Sequence, residues 1–449
     1  MEKTMDLTRG EVPLVLLRFF FPMLAGNALQ QAYTFVDSVL VGKGIGDEAL
    51  GAVGNLSGMM LLVSGFLMGI TNGFGVNIAQ YFGAGDKAAL RRAIAHACWL
   101  CGLITACLTV GSLLLLKPML QWIHTDTALM KNSLLYGYIL FGCLLVTTAY
   151  NLCACILRSQ GDSRTPLMAV MVSSAVNLLL DVLLIFVFHA GVAGAAAATV
   201  AAQGVSVWVC LYRLRKHKQL RLQRKDFSMD MAMNRQLLNN GLPAACMNSI
   251  TAVGCMAVQG YVNALGAVYT SAYSASCKLL NLLMLPGMTA GFAMSAFVSQ
   301  NKGAGYEGRI RQGLRTGLGL AVGSWLVLGS VVCLFPKWVA GWLLNGSESV
   351  QLAGDCLRVW SFFLLVLNLL LVFRHTVQGL GHPLPPMISG FAEMLLRLFS
   401  VLLLLPGLGF RAVAHAEWLA WLGALIINWV AYVVLMHRHI GLDRECKRE

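Results

Sequence analysis

Charge is what this 449-residue chain has least of. Asp, Glu, Lys and Arg make up 12% of it and hydrophobic residues 57%, with a mean hydropathy of +0.70. Soluble domains carry about 25% charged residues, so a soluble globular class is excluded. No G-x-x-x-x-G-K-[ST] pattern occurs, which leaves direct ATP drive unsupported. The nine His residues are scattered and the acids form no D-x-x-D cluster. A membrane-embedded transferase would need such a cluster or a polar catalytic loop, so the chain is read as a non-enzyme. The 13 cysteines are odd in number and lie nearly all in apolar runs. Cys98 and Cys101 form C-x-x-C, but inside such a run and not at the exposed helix start a redox centre needs. They read as buried free thiols.

What is there is apolar sequence in lengths that suit a bilayer. A spanning helix needs roughly 20 mainly apolar residues, and twelve such runs follow one another: 14–41, 50–74, 93–116, 133–156, 166–188, 191–212, 239–264, 270–297, 313–335, 356–378, 386–405 and 412–436. The first is too long and too polar at its far end for a cleaved signal peptide. Of the 33 Lys and Arg residues, 24 fall in the segments that are cytoplasmic if the N-terminus is inside, and six in the outer connections; Arg18, Lys278 and Arg397 lie within spans. This bias places both termini in the cytoplasm of a cell-membrane protein. It also accounts for the net charge of +13 without a nucleic-acid partner. The basic stretch RLRKHKQLRLQRK, 213–225, reads as an inner-leaflet contact and linker.

The chain repeats itself. QYFGAGDKAALRR from Gln80 and QNKGAGYEGRIRQ from Gln300 share Gln80/Gln300, Gly83/Gly303, Ala84/Ala304, Gly85/Gly305 and Arg91/Arg311 at an offset of 220. Pro166 matches Pro386 at that offset, and Pro22 and Asn27 match Pro243 and Asn248 at 221. The expectation is an all-α integral membrane protein of 12 transmembrane helices, in two pseudo-symmetric six-helix lobes around a central cavity: 1–212, a basic cytoplasmic linker 213–238, and 239–449. An even number of helices per half inserts both halves the same way up. That is a transporter's layout.

Ionisable residues within spans are expensive and are functional candidates by default. The first helix ends on the outer side near Gly42, five residues beyond Asp37; the fifth ends near His189, eight beyond Asp181, with Asn177 one turn deeper on the same face; Thr199 is eight residues into the sixth. At 1.5 Å per residue these depths are roughly 8 to 18 Å, so the four residues share one outer-half layer. Two carboxylates, an amide oxygen and a hydroxyl suit a small hard cation or a shared proton. A hydrogen-bonded polar knot that holds the helices in register is the alternative. Desolvation and like-charge repulsion both favour protonation of one carboxyl.

An early-helix Pro, the tract QQAYTFVDSVLVGKGIGDEALGAVG, the two Q-x-x-G-A loops and QGDSRTP together resemble the multidrug and toxic compound extrusion (MATE) family of antiporters over the whole chain. The resemblance implies a twelve-helix exporter that exchanges amphipathic, often cationic drugs for protons or sodium by alternating access. It also implies an N-lobe coupling site at Asp37, Asn177, Asp181 and Thr199. The second half departs from the pattern. Val258 and Val401 stand where Asp37 and Asp181 repeat, residues 239–264 contain no acid, and Asp355 sits at the outer edge of the tenth helix. A C-lobe sodium site is therefore in doubt, and protons are favoured over sodium. Glu393 and Arg397, spaced i, i+4, form a structural or switch ion pair.

Gln30, Gln31, Tyr33 and Asn151 are candidate substrate contacts, or packing residues. Arg18 is expected to snorkel to the inner surface, and Lys278 to snorkel or face the cavity. No cofactor is implied, nor any metal beyond sodium at the coupling residues. The expected partners are amphipathic or cationic small molecules and membrane lipids, with the monomer as the functional unit. A lipid-linked oligosaccharide flippase of the same wider superfamily is the runner-up, although flippases often add helices and line their cavity with arginines. The topology has a direct test: single cysteines at Ser228 and Ser347 in a cysteine-free background label from opposite sides, Ser228 from the cytoplasm. Labelling of both from one side contradicts twelve crossings.

Overall fold

In lipid no water satisfies backbone N–H and C=O groups, so an apolar chain of this length must bond them internally, and helices do so segment by segment. The computed structural model describes residues 5–45, 47–122, 125–217, 220 and 222–445. No strand occurs among them. The helices are α1 (Val12–Ile45), α2 (Asp47–Gly83), α3 (Lys87–Trp122), α4 (Thr127–Gly142), α5 (Leu144–Ser159), α6 (Arg164–Asp181), α7 (Gly191–Lys216), α8 (Met231–Ala264), α9 (Ala267–Leu283), α10 (Leu285–Gly303), α11 (Glu307–Ser324), α12 (Ser330–Leu334), α13 (Pro336–Ala340), α14 (Ser347–Gly379), α15 (Leu384–Leu408) and α16 (Arg411–Glu445).

Among the described residues ten helical spans are long and apolar enough to cross a membrane, and two bent pairs bring the total to twelve when each is counted once. The pairs are α4 with α5, bent by 44°, and α9 with α10, bent by 43°. The second break is followed at once by Pro286, which cannot donate a backbone hydrogen bond. Hydropathy alone shows each pair as one unbroken run. Single π turns continue α6 (Val182–Val187) and α11 (Trp325–Gly329). The chain divides into two compact units, Met1–Leu7 with Arg18–Ala245, and Thr8–Leu17 with Cys246–Glu449.

The repeat is visible in the backbone of each unit. Ala84 N–H donates to Gln80 O at 2.9 Å and Ala304 N–H to Gln300 O at 3.0 Å. Gly85 and Gly305 then reverse the chain at φ +73° and +74°, and Gly161 and Gly381 do so at +80° and +75°. Those conformations favour glycine. At Gly161 a second reason applies, because an added Cβ would collide with the carbonyl oxygen of Met5. QGDSRTP is thus a turn followed by a helix start. Asp162 Oδ1 accepts from Thr165 N–H at 2.9 Å, its Oδ2 accepts from the Thr165 hydroxyl at 2.7 Å, and Arg213 Nε lies 3.3 Å from Oδ2.

The first unit packs Leu56, Leu67, Leu116, Tyr136 and Phe141 in one cluster, and Ile70, Phe74, Ile78, Ile94 and Leu237 in another. The second unit packs around Trp360, which is fully buried and donates its indole N–H to Ala414 O at 3.2 Å. Beyond the basic stretch, of which Lys218, Gln219 and Arg221 lie outside the described residues, the linker docks on α3. Asp226 is buried and lies 3.6 Å from Arg91, while His96 Nδ1 and Nε2 face Asn234 Oδ1 at 2.7 Å and Ser228 O at 3.0 Å.

Two expectations are corrected here. Arg374, one of the 24 Lys and Arg residues that the charge bias assigns to cytoplasmic segments, is buried inside α14. Cys98 and Cys107 are exposed on α3 and not buried; every described cysteine is free. A helix that is apolar all round gives hydropathy no means of telling its packed face from its lipid face.

Candidate ion-coupling site

The first unit brings three helices together at the four oxygen-bearing residues. Asp37 comes from α1, Asn177 and Asp181 from one face of α6, and Thr199 from α7. Asp181 is the last α-helical residue before the π turn Val182–Val187, a local widening that recurs at functional positions. Asp181 is 0% and Asn177 1% exposed, and Asp37 is half-buried.

The carboxyl groups of Asp37 and Asp181 lie close enough to act on each other. Two carboxylates have no proton to donate, so a hydrogen bond between them needs one to be a carboxylic acid. Oδ1 of Asp37 and Oδ1 of Asp181 are buried and without a hydrogen-bond partner. Asn177 stands beside them. With its amide turned to suit its neighbours, it donates to Asp181 Oδ2, accepts from Thr199 N–H at 3.2 Å and lies 3.3 Å from the Tyr33 hydroxyl. The Thr199 hydroxyl donates to Ala195 O at 3.0 Å and bonds the Tyr33 hydroxyl.

Tyr33, read from sequence as a substrate contact, therefore belongs to this cluster. Tyr136 of α4 stands within Coulombic range of both carboxyls, and nothing in its local sequence marks it out. A cavity of about 360 Å³ opens on the pair between α1 and α6, with Leu29, Val36, Met171 and Leu178 on its walls. Gln30 and Gln31 are exposed on α1 and do not line it, and Asn151 is half-buried on α5. Arg18 and Lys278 are both exposed.

The second unit treats charge differently. Val258 and Val401, the repeat counterparts of the two aspartates, are 1% and 3% exposed and lie in its apolar core. Asp355 pairs with Arg411 at 3.1 Å on the exposed side. Glu393 and Arg397 are 3.0 Å apart, but as the middle of a longer chain: Arg374 of α14 reaches the other oxygen of Glu393 at 2.6 Å, and Arg397 also holds Glu417 of α16 at 3.0 Å. All four are buried, and their formal charges cancel. Glu417, in the last apolar run, meets the same criterion that singled out Glu393, an acid within a span, and was missed.

A multi-pass membrane protein made of two repeated helical units, with a buried acid pair in only one of them, has the form of a membrane transporter. The family model described as MatE matches residues 22–183 and 243–403, one segment in each half. The chain belongs to the MatE family of multidrug efflux transporters. It is 29% identical over 382 residues to the probable multidrug resistance protein YpnP of Bacillus subtilis, covering 84% of this chain and 85% of that one. The FAD transporter of Shewanella oneidensis is 24% identical over 416 residues, covering 89% and 88%. Among solved structures, an outward-facing multidrug resistance MATE family transporter of the MOP superfamily superposes with a TM-score of 0.90 at 20% identity, over 99% of each chain.

Removing one member of a buried ionic cluster strands a charge and costs roughly 3–5 kcal/mol. Glu393→Gln alone should therefore lower folded yield and thermal midpoint more than Glu393→Gln with Arg374→Gln, which leaves the Arg397–Glu417 pair intact. The double change Glu393→Gln with Arg397→Gln strands Arg374 and Glu417 and should be no milder than the single one. Size-exclusion yield and thermal unfolding in detergent check the order.

Proposed function

We propose that this protein is a secondary multidrug antiporter of the cell membrane, with both termini cytoplasmic, which exports amphipathic, often cationic compounds in exchange for protons by alternating access. One observation carries the reading: two acids from separate helices stand side by side inside an apolar unit, with no arginine or lysine among the charges acting on them, and we read them as sharing one proton. With the proton bound, the pair carries one negative charge. Once it leaves, two like charges face each other where the dielectric is low, and at 4 Å and an effective dielectric of 20 that repulsion is about 4 kcal/mol. The ionised pair must separate, take up a cation or be reprotonated. A cationic substrate and an incoming proton thus compete for the same charge, which is what antiport requires.

Sodium is the second reading, supported by the oxygen-rich makeup of the cluster. A proton needs only one oxygen from each of the two carboxyls. A metal cation would draw on the two free Oδ1 atoms, while Asn177 and Thr199 are already engaged with Thr199 N–H and with Tyr33 and Ala195. No cofactor enters this reading, and a single chain suffices for it. The acid pair also argues against an anionic substrate such as that named for the Shewanella relative.

Efflux from proteoliposomes, with proton and sodium gradients imposed separately, tests the proposal. A cationic dye should move under the proton gradient alone, FAD should not, and Asp37→Asn and Asp181→Asn should each reduce dye efflux at least tenfold. Transport that survives in both variants removes the coupling role. Drive by sodium alone at fixed pH keeps the site and reassigns the ion.

A further inference from the structure

The first unit holds a second cavity, of about 450 Å³, within the roughly 300–1,000 Å³ usual for ligand pockets. It lies at the basic-linker end of the unit, far from the acid pair along α7. It is lined by Ile94 and Cys98 of α3, Leu152, Cys153 and Ile156 of α5, Leu211 of α7, and Leu220 and Leu222 of the linker. Arg215 is its one charged lining residue among the described residues; it is exposed and makes no ion pair with any of them. Its neighbour Arg213, by contrast, is held by Asp162.

The surface beside the mouth has the character of a membrane interface. Trp208 and Tyr212 are 66% and 53% exposed and stack with centroids 5.8 Å apart. Lys216 Nζ caps the Tyr212 ring at 4.1 Å. Trp99, next to Cys98, is 53% exposed. Exposed Trp and Tyr mark the headgroup level, and the charge bias of the connections makes this the cytoplasmic leaflet. An apolar slot that opens at headgroup level, under a free guanidinium and a stretch rich in Lys and Arg, complements a molecule with a hydrocarbon tail and a negative head. The same arginine disfavours the cationic compounds that the acid pair attracts.

We propose that this cavity binds an anionic phospholipid of the cytoplasmic leaflet, with one acyl chain between α3, α5 and α7 and the phosphate on Arg215. The lipid bridges the linker, through Leu220 and Leu222, to α3, α5 and α7. Phosphate is the group a guanidinium holds best, by paired N–H donors.

The test is photolabelling in nanodiscs with phosphatidylglycerol that carries a diazirine on its acyl chain, read by peptide mass spectrometry and compared with a phosphatidylcholine and a free fatty acid bearing the same tag. Phosphatidylglycerol should label the peptides around 94–98 and 152–156 at least fivefold more than phosphatidylcholine. Arg215→Gln should bring the two to the same level, while Arg215→Lys keeps most of the preference. Cys153→Phe, which fills the slot, should remove label from these peptides alone, and label on α15 and α16 serves as the control for folding. Equal labelling by the two phospholipids, an unchanged preference in Arg215→Gln, or label spread evenly over the lipid-facing helices overturns the proposal. So does a fatty acid that labels these peptides as strongly as phosphatidylglycerol.

Discussion

Inside a bilayer a charge has no water to turn to, so every buried ionisable group must be neutralised by a neighbour or by something that comes and goes. The two repeated units meet this constraint in opposite ways. The second contains its own solution: two arginines and two glutamates in one chain of contacts across α14, α15 and α16. The first has two aspartates and no base among the charges acting on them. On the proposed reading its neutralising partner is an ion that comes and goes. The valines at 258 and 401 mark where the second half lacks the acids.

The surroundings of the aspartates hold them in contact without neutralising them. Tyr33 of α1 bonds Thr199 of α7 and lies 3.3 Å from the amide of Asn177 of α6, so the three helices are already tied together one turn from Asp37. On the proposed reading, loss of a proton shared by Asp37 and Asp181 turns their contact into a repulsion within that frame, and protonation then biases how α1 meets α6.

Much of this was legible in the sequence because lipid makes the rules strict. Twelve runs of suitable length, a strong bias in Lys and Arg, and a 220-residue repeat lead to the architecture. Depth counting along three helices places Asp37, Asn177, Asp181 and Thr199 in one layer. Other features resisted reading for physical reasons. The breaks near Cys143 and Met284 change direction without changing hydropathy. Tyr33 and Tyr136 enter the site through side chains equally at home in an interfacial belt. Arg374 sits near a helix end, where a snorkelling residue and a buried one look alike in sequence. The docking of the linker on His96 depends on partners more than 130 residues away.

The central claim is that Asp37 and Asp181 hold one proton between them. Infrared difference spectroscopy of wild type against the double variant Asp37→Asn with Asp181→Asn, in sodium-free lipid membranes at neutral pH, reads it directly. The account predicts a carbonyl-stretch band from a protonated carboxyl, present in wild type, absent in the double variant and lost together with one proton when pH is raised. Only carboxylate bands at neutral pH, with no protonated-carboxyl signal assignable to the pair, would contradict it.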